Sequence, residues 1–258
     1  MKILITGGAG FIGSHLVEKL IDNNQVIVID NLSVGRLQNL PQHKNLITII
    51  DSIMEDVGTY FEDIDVVFHL GALTRPQESI AKPEEYTKTN VIGTLRVLEW
   101  CRKYEVKRLV FVSTTGLYGE QDKLPTQEDA ISNPMCPYAL TKLIGEEYCK
   151  LYEKMYGMEI NVIRPFNVYG TRQSPEGSYA SAVSKFIDLL SKDKPPFITG
   201  DGEQSRDFIY VEDLVDLMIL MATSPIHGEV FNGGSGVSTS INDIYRIISS
   251  EMGKKIKP

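Results

Sequence analysis

The sequence predicts an α/β protein built on a doubly wound parallel sheet, followed by a smaller C-terminal α/β lobe. Short runs rich in Ile and Val alternate with amphipathic stretches of helical length over the first two thirds of the chain. These runs are apolar almost throughout, which is typical of strands that are buried on both faces. Their alternation with helices specifies parallel strands joined by right-handed crossovers.

Six strands are predicted in this first part of the chain. They cover Lys2–Thr6, Gln25–Asp30, Leu46–Ile50, Val66–Leu70, Arg108–Ser113 and Glu159–Arg164. Apolar residues at helical spacing predict helices over Ser14–Ile21, Glu84–Tyr104 and Tyr138–Tyr156. We therefore expect a first domain over residues 1–168, with a small part of it returning after residue 205.

The pattern changes after residue 168, where turns rich in Gly, Pro and charged residues become denser. A helix is predicted over Val211–Ala222, a strand over Glu229–Asn232 and a helix over Ile241–Glu251. We interpret residues 169–258 as a substrate-binding lobe at the carboxyl edge of the sheet, where ligands bind in open α/β folds.

Charge and composition limit the classes of partner. The chain has 258 residues with 26 Lys+Arg against 34 Asp+Glu, a net charge of −8, and 42% of its residues are hydrophobic. An acidic protein is a poor ligand for nucleic acid or for an anionic membrane surface. No run approaches the roughly 20 apolar residues of a membrane span, and the N-terminus lacks the pattern of a secretion signal. We expect a small-molecule substrate, no nucleic acid and no membrane.

The three cysteines, Cys101, Cys136 and Cys149, are odd in number and do not have metal-ligand spacing. They are interpreted as reduced thiols, which is usual in the cytoplasm. The sequence thus predicts a cytoplasmic protein without a metal site.

A glycine-rich turn, Gly7–Gly13, follows the first strand and opens the first helix. In a Rossmann-type fold Gly7 permits the tight turn, Gly10 lets the backbone approach a pyrophosphate, and Gly13 lets the helix lie close to the strand. Asp30, at the end of the second strand, is placed to bind ribose hydroxyls and to repel a 2′-phosphate, which favours NAD. Because of the positive charge of Arg36, NADP is the alternative cofactor. If no cofactor binds, Gly7–Gly13 is an ordinary turn between a strand and a helix.

Tyr138 and Lys142 are four residues apart and therefore share one face of a helix. A lysine ammonium and an oxidised nicotinamide would lower the tyrosine pKa from about 10 toward neutral, so that Tyr138 can exchange a proton with an alcohol. Thr114, just after the fifth strand, is placed to bind the same oxygen. The alternative for Tyr138 and Lys142 is that they lie on a solvated helix face. The alternative for Thr114 is that its hydroxyl caps backbone groups at the end of the strand.

Together these residues resemble the extended short-chain dehydrogenase/reductase family, and within it the nucleotide-sugar epimerases. The resemblance runs over essentially the whole chain. Besides the residues above, it includes His69–Ala72, Asn90–Thr94, Leu117–Gly119, Arg164–Gly170, Gly200–Gly202 and Arg206–Asp213. Family members commonly continue for several dozen residues more, so the C-terminal lobe is expected to be truncated.

The resemblance implies a set of site residues. The expected NAD site is Gly7, Gly10, Phe11, Ile12, Gly13, Asp30, Asn31, Ser33, Gly35, Ser52, Ile53, Leu70, Gly71, Ala72, Asn90, Tyr138, Lys142 and Phe166. Ser52 stands where the family has an aspartate, which leaves Ser52 and Asp51 as alternatives. Thr114, Tyr138 and Lys142 are the expected catalytic residues, and Thr114, Tyr138, Asn167 and Arg206 are expected to bind substrate.

Three further interpretations accompany that set. Arg206 is expected on the substrate diphosphate, with an ion pair to Asp207 or Asp213 as the alternative. His69 is interpreted as a strand-end histidine satisfied by backbone groups. The helices over 84–104 and 138–156 resemble the pair at the dimer interface of family members, so a homodimer is expected.

The reaction type follows from a missing acid. Dehydratases and decarboxylases of the family carry a carboxylate just after the Ser/Thr, whereas Thr114–Leu117 contains none. This favours epimerisation at C4 of a UDP-galactose/UDP-glucose type substrate, by transient oxidation to the 4-keto sugar and hydride return. The alternatives are a UDP-glucuronate or UDP-N-acetylglucosamine 4-epimerase, another NDP-sugar dehydratase, decarboxylase or reductase, and, remotely, a non-catalytic NAD-binding protein.

Overall fold

Residues 1–175 and 181–258 are described by a computed structural model of the chain. They form two compact units. The first unit contains Met1–Pro165 and Val215–Asn232, and the second contains Phe166–Leu214 and Gly233–Pro258. The chain therefore leaves the first unit after Pro165, returns to it for a short segment and leaves it again after Asn232.

The strands divide between two sheets. They are β1 (Lys2–Thr6), β2 (Gln25–Ile29), β3 (Leu46–Ile49), β4 (Val66–His69), β5 (Arg108–Val112), β6 (Glu159–Pro165), β7 (Asn167–Tyr169), β8 (Ser205–Tyr210), β9 (Val230–Gly233) and β10 (Ser238–Ser240). The larger sheet has the order β3-β2-β1-β4-β5-β6-β9, and every pair from β3 to β6 is parallel. The predicted doubly wound, Rossmann-type parallel sheet is confirmed.

The helices are α1 (Phe11–Leu20), α2 (Pro76–Ala81), α3 (Pro83–Tyr86), α4 (Gly93–Lys103), α5 (Pro137–Tyr156), α6 (Ala182–Ser191), α7 (Val211–Thr223) and α8 (Ile241–Glu251). The single helix predicted over residues 84–104 is wrong in detail, because a π-helical turn, Thr87–Ile92, separates α3 from α4. Such turns are rare and occur frequently at functional sites. None of the described helices is long and apolar enough to cross a bilayer.

The core of the first unit lies where the sheet meets α4 and α5. Phe111 of β5, Leu98 of α4 and Cys149 of α5 are all buried in it. Gly145 lets α5 approach the sheet closely, since a Cβ at this position would lie 2.6 Å from Cζ of Phe111. Helix α5 begins with a proline in its first turn and ends at Gly157, whose φ of 69° suits glycine. These features fix the helix that carries Tyr138.

The second unit contains a three-stranded sheet in the order β10-β8-β7. Strand β8 pairs in parallel with β7 and antiparallel with β10. Helix α6 packs on α8, where the rings of Phe186 and Tyr245 meet edge to face with centroids 6.3 Å apart. The sequence predicts α8 in this unit but misses α6 and the three short strands. It also predicts α7 and β9, most of which lie in the segment that returns to the first unit.

A buried ion pair joins α5 to β6. The Arg164 guanidinium donates two hydrogen bonds to the Glu146 carboxylate, at 3.0 and 2.6 Å, and both side chains are almost fully buried. It also donates to the Tyr118 hydroxyl at 2.8 Å and to the Glu128 carbonyl at 2.9 Å. A charge buried in this way depends on its partner, because removing one member leaves the other uncompensated.

Replacing Glu146 with alanine is therefore expected to lower the free energy of unfolding by about 3–5 kcal/mol. Glu147→Ala is the matched control, since this neighbouring residue forms an exposed pair with Lys150 at 2.8 Å that is worth about 0–1 kcal/mol. Urea unfolding of both variants measures the difference. Equal and small losses would contradict a structural role for the buried pair.

Candidate active site

The turn between β1 and α1 needs glycine at two positions for steric reasons. Gly7 has a φ of 72°, and a Cβ there would lie 2.9 Å from the backbone nitrogen of Gly71. At Gly13 a Cβ would lie 2.3 Å from the Gly7 carbonyl oxygen. A Cβ at Gly10 would meet only that same oxygen, at 3.2 Å, so the N-terminus of α1 is not crowded. Helix α1 has no side-chain cap and no acid in its first turn, which suits a bound phosphate.

Asp30 is buried directly after β2, and both of its carboxylate oxygens are held by backbone. Oδ2 accepts from the Ala9 N–H at 2.9 Å, and Oδ1 accepts from the Leu32 N–H at 2.8 Å. A Cβ at Gly35 would lie 2.8 Å from both oxygens, so the loop that covers Asp30 needs glycine there. Each oxygen keeps a lone pair for a hydroxyl group, which fits the two hydroxyls of a ribose.

One buried side-chain oxygen among the described residues has no hydrogen-bond partner, and it is Oγ of Ser113. Ser113 follows β5 at the carboxyl end of the parallel sheet, where ligands bind in this architecture. Buried hydroxyls are normally bonded. With the open helix N-terminus and the Asp30 carboxylate, this unsatisfied group shows that the first unit fits a dinucleotide.

The three predicted catalytic residues lie near this edge of the sheet. Tyr138, in the first turn of α5, is close enough to Thr114 for that side chain to lower the pKa of its phenol. Thr114 also caps a short 3₁₀ turn, because its Oγ1 accepts from the Gly116 N–H at 3.1 Å. Lys142 is buried one turn further along α5, where its Nζ donates to the Val112 carbonyl at 2.8 Å. No hydrogen bond between Lys142 and Tyr138 occurs among the described residues.

Burial controls the proton affinity of these groups. It raises the pKa of Tyr138 to about 12, an effect that the nearby Thr114 side chain partly offsets. Burial lowers the pKa of Lys142 to about 8. In the ligand-free chain Tyr138 is therefore a neutral phenol at pH 7. The sequence analysis expects the Tyr138 pKa to be lowered, in part by the positive charge of an oxidised nicotinamide, and this stays a prediction.

His69 has side-chain partners, and the expectation of backbone partners is wrong. Its Nδ1 lies 2.7 Å from the Thr6 hydroxyl and its Nε2 lies 3.0 Å from the Thr94 hydroxyl. Thr94 donates its own proton to the Asn90 carbonyl, so it accepts from Nε2–H and the other ring nitrogen is the acceptor. Burial, and then the charge of Lys142, lower the pKa of His69 to about 3. The ring is neutral and serves as a structural link.

Asn90, in the π-helical turn, continues this hydrogen-bonded chain. Its Oδ1 accepts from the Leu73 N–H at 2.8 Å, and its Nδ2 donates to the Leu73 carbonyl at 2.9 Å and to the Thr141 hydroxyl at 3.0 Å. Both amide hydrogens are thus used within the protein. Thr6, Thr94 and Thr141 were not identified from the sequence, although each is a polar residue within a largely apolar pattern.

The remaining predicted cofactor residues of the first unit lie in loops that follow the strands. Ile53 is buried and packs against Gly93, where a Cβ would lie 2.7 Å from its Cδ1. The Ser52 N–H donates to Oδ1 of Asp51 at 2.7 Å, so the two residues that are alternatives for this part of the cofactor site are hydrogen-bonded to each other. Asn31 and Ser33 are exposed, whereas Leu70, Gly71 and Ala72, like Phe11 and Ile12 of α1, are partly exposed.

Three predicted residues belong to the second unit. Phe166 is partly buried, and its N–H donates to the Gly233 carbonyl at 2.9 Å. Asn167 is exposed and donates from Nδ2 to the Asp207 carbonyl at 2.9 Å. Arg206 is exposed and donates to the Ser205 carbonyl at 2.7 Å.

The alternative ion pair between Arg206 and Asp207 does not form among the described residues. The Asp207 carboxylate instead accepts from the Ser235 N–H and hydroxyl, both at 2.8 Å, and from the Gly236 N–H at 2.7 Å. Arg206 also makes no ion pair with Asp213 in the described part of the chain. Its guanidinium therefore faces solvent without a carboxylate, as an anion-binding arginine requires.

The neutral buried ring of His69 predicts a pH effect on stability. Its pKa is about 3 when folded and about 6.5 when unfolded, so the unfolded chain binds an extra proton between these values. Stability should fall as the pH drops below about 6.5. Urea unfolding at pH 7 and pH 5 should show a smaller drop for His69→Gln than for the wild type. His43→Gln is the control, and an unchanged drop in His69→Gln would contradict the assignment.

Comparison with known proteins agrees with this geometry. The profile of the NAD dependent epimerase/dehydratase family matches residues 3–234. A putative UDP-glucose 4-epimerase of Methanocaldococcus jannaschii is 43% identical over 254 residues, which cover 97% of this chain and 82% of that one. A UDP-glucose 4-epimerase of Mycolicibacterium smegmatis is 36% identical over 267 residues, covering 100% of this chain and 85% of that one.

Solved structures are similar over nearly the full chain. The UDP-N-acetylglucosamine 4-epimerase of Methanobrevibacter ruminantium, in complex with UDP-N-acetylmuramic acid, has a TM-score of 0.97 and 40% identity, covering 99% of this chain and 83% of that one. The UDP-glucose 4-epimerase of Thermotoga maritima, with UDP-glucose, has a TM-score of 0.93 and 40% identity, covering 100% and 84%. This chain is a member of the NAD-dependent epimerase/dehydratase family, within the extended short-chain dehydrogenases/reductases.

Proposed function

We propose that this chain is an NAD-dependent 4-epimerase of a UDP-sugar of the UDP-galactose/UDP-glucose type. The observation that carries the proposal is the proximity of the Tyr138 phenol to the Thr114 side chain, with Lys142 one turn further along α5. These groups lie at the carboxyl end of a sheet whose first turn fits a dinucleotide. Named relatives that act on UDP-sugars support it, as do structures of relatives with NAD bound.

The residues after Thr114 favour epimerisation over elimination. Dehydration or decarboxylation needs an acid or base beside the proton-transferring tyrosine, but neither Thr115 nor Gly116 offers one. The Thr115 hydroxyl is committed to the Pro165 carbonyl at 3.0 Å, and Gly116 has no side chain. The segment after Thr114 thus adds no second proton-transferring group beside Tyr138, which matches a reaction that begins and ends with an alcohol.

In this proposal Tyr138 and Thr114 hold the same sugar oxygen. NAD, when bound, would supply reversible transfer of the sugar hydride, and inversion follows when the keto sugar turns its opposite face toward the cofactor between the two transfers. Tyr138 takes the proton from the hydroxyl during oxidation and gives it back during reduction, while Thr114 keeps the oxygen in place. Lys142 keeps most of its positive charge at pH 7, since its pKa is about 8, and this charge favours the phenolate form of Tyr138.

The two units have separate roles in this proposal. The first holds NAD at the β1–α1 turn and at Asp30, and the second binds the substrate through Asn167 and Arg206. The exposure of both of these side chains supports a role in binding. Free cysteines, two of them deeply buried, support a cytoplasmic location.

A homodimer through α4 and α5 is also proposed. Large apolar side chains on the outer face of α5 support it, because Leu151, Met155 and Tyr156 are 45%, 58% and 47% exposed. Adjacent apolar side chains on a helix face are common at subunit interfaces. Trp100 of α4 is partly buried against Phe61, with ring centroids 5.4 Å apart, and lines a surface pocket beside Arg96.

Replacing Tyr138 with phenylalanine tests the proposed proton transfer. The change removes one oxygen atom and keeps the ring, so turnover should fall by about 100-fold or more while folding and NAD binding persist. The measurements are conversion of UDP-galactose to UDP-glucose and the NAD content of the purified protein. Tyr60→Phe, at an exposed tyrosine, is the control. Near-normal turnover by Tyr138→Phe would reject the proposed role.

A second candidate substrate is UDP-N-acetylglucosamine, which is favoured by the similarity to the Methanobrevibacter ruminantium enzyme. UDP-galactose, UDP-N-acetylgalactosamine and UDP-galacturonate should be compared, with NMR identification of the products. We expect the highest kcat/KM for UDP-galactose and no net consumption of cofactor. Faster turnover of the N-acetylated sugar would change the substrate assignment. Stoichiometric oxidation of reduced cofactor would indicate a reductase, and no turnover of any sugar would indicate a non-catalytic protein.

A further inference from the structure

The N-terminus of α5, where Tyr138 lies, is capped by another helix. Cys136 occupies the N-cap position but makes no hydrogen bond with its side chain. The next residue, Pro137, has no N–H group. The first N–H of α5 is therefore that of Tyr138, and it donates to Oγ of Ser79 at 3.1 Å. The cap of this helix comes from α2, 59 residues earlier in the chain.

Ser79 is held in one orientation at this point. Its side chain is fully buried in α2, and its hydroxyl donates to the Pro76 carbonyl. The proton thus points back along α2, and a lone pair of the oxygen faces the Tyr138 N–H. A rotating surface serine would not provide a fixed acceptor, whereas this one does.

The segment that carries Ser79 is itself attached to neighbouring elements at two places. The Asn90 amide binds both the N–H and the carbonyl of Leu73. The Arg75 N–H donates to the Tyr86 hydroxyl at 3.1 Å, and the Tyr86 ring meets the Tyr138 ring edge to face with centroids 6.5 Å apart. The position of Ser79 is therefore determined by α3 and the π-helical turn as well as by α2.

Tyr138 is also held at its carbonyl group. This oxygen accepts from the Thr141 hydroxyl at 2.7 Å, and Thr141 in turn accepts from Nδ2 of Asn90 at 3.0 Å. Side chains thus hold both backbone polar groups of Tyr138, with Ser79 on one side and Thr141 on the other. Such a clamp fixes the direction in which the phenol projects from the helix.

We infer that Ser79 is a positioning residue for Tyr138, which aligns the phenol with the Thr114 hydroxyl. The inference rests on the proposed function, because it assigns Ser79 a part in the same proton transfer. A displacement of about 1 Å at a reacting group can cost about 100-fold in rate, so loss of one side of the clamp affects the chemical step more than binding. Ser79 does not touch the substrate in this account.

Ser79→Ala tests the inference through the separation of kcat from KM. We expect kcat to fall about tenfold or more, while KM for the UDP-sugar and the Kd for NAD change less than about twofold. Ser191→Ala is the matched control, because the Ser191 hydroxyl also donates to a carbonyl three residues earlier, that of Asp188 at 2.7 Å, and has no N–H to cap. Equal kcat values for the two variants would overturn the inference. A Ser79→Ala variant whose KM rises while its kcat is unchanged would also overturn it.

Two further variants separate positioning from folding. Ser79→Thr keeps the hydroxyl acceptor and should recover kcat to within about threefold of the wild type; a folded but equally impaired threonine variant would overturn the inference. In the Tyr138→Phe background Ser79→Ala should cause no further loss of single-turnover rate, since no phenol remains to be aligned. An additional tenfold loss would show that Ser79 acts elsewhere, which also overturns it.

Amide hydrogen exchange tests the contact without any sugar. The Tyr138 N–H should exchange about tenfold faster in Ser79→Ala than in the wild type or in Ser191→Ala. Unchanged exchange would overturn the inference whatever the activity. If the wild type turns over no UDP-sugar and exchange at Tyr138 still accelerates in Ser79→Ala, the proposed sugar reaction fails and the clamp on Tyr138 is supported.

Discussion

A chain of buried side-chain hydrogen bonds connects the elements on which the candidate site depends. It begins at the Gly71 N–H, which donates to the Thr6 hydroxyl at 3.0 Å, and passes through His69 and Thr94 to Asn90. From Asn90 it reaches α5 through Thr141. Unpaired polar groups at these depths would each cost about 1–3 kcal/mol, so the arrangement is strongly favoured once the strands pair. The glycine turn and helix α5 are thereby connected by one hydrogen-bonded network.

Burial at the same edge also determines which groups carry charge. At pH 7 the imidazole of His69 is neutral and the phenol of Tyr138 keeps its proton. Lys142 carries most of its positive charge, because its pKa is about 8. A ligand that brings positive charge beside Tyr138 changes this balance most, because no cationic side chain is hydrogen-bonded to the phenol among residues 1–175 and 181–258. The proposed chemistry is thus coupled to occupancy by the oxidised cofactor.

Local pattern was sufficient to predict the features that depend on neighbouring residues. The bounds of β1 and α8 agree with the prediction, as does the parallel sheet, because continuous apolar runs and helical spacing are properties of short segments. The hydrogen bonds of His69 to Thr6 and Thr94 were missed because these partners are far apart from it in sequence. The π-helical turn was also missed, as were the contacts of its Asn90 with Leu73 and Thr141. Strand β8 was missed because most of its residues are not buried, which leaves no apolar run to recognise. The roles assigned to Asn31, Ser33 and Arg206 rest on the family resemblance and stay predictions.

The buried Arg164–Glu146 pair has a consequence for which positions of the chain tolerate substitution. Through this pair α5, β6, Tyr118 and the Glu128 carbonyl share one desolvated guanidinium, so a shift of any one of them would separate opposite charges in a medium of low dielectric. Substitutions are therefore expected to cost least in free energy of unfolding at side chains outside this framework. An exposed residue such as Asn167 lies outside the charged centre, so its replacement leaves the four hydrogen bonds of the Arg164 guanidinium and the helix that carries Tyr138 in place.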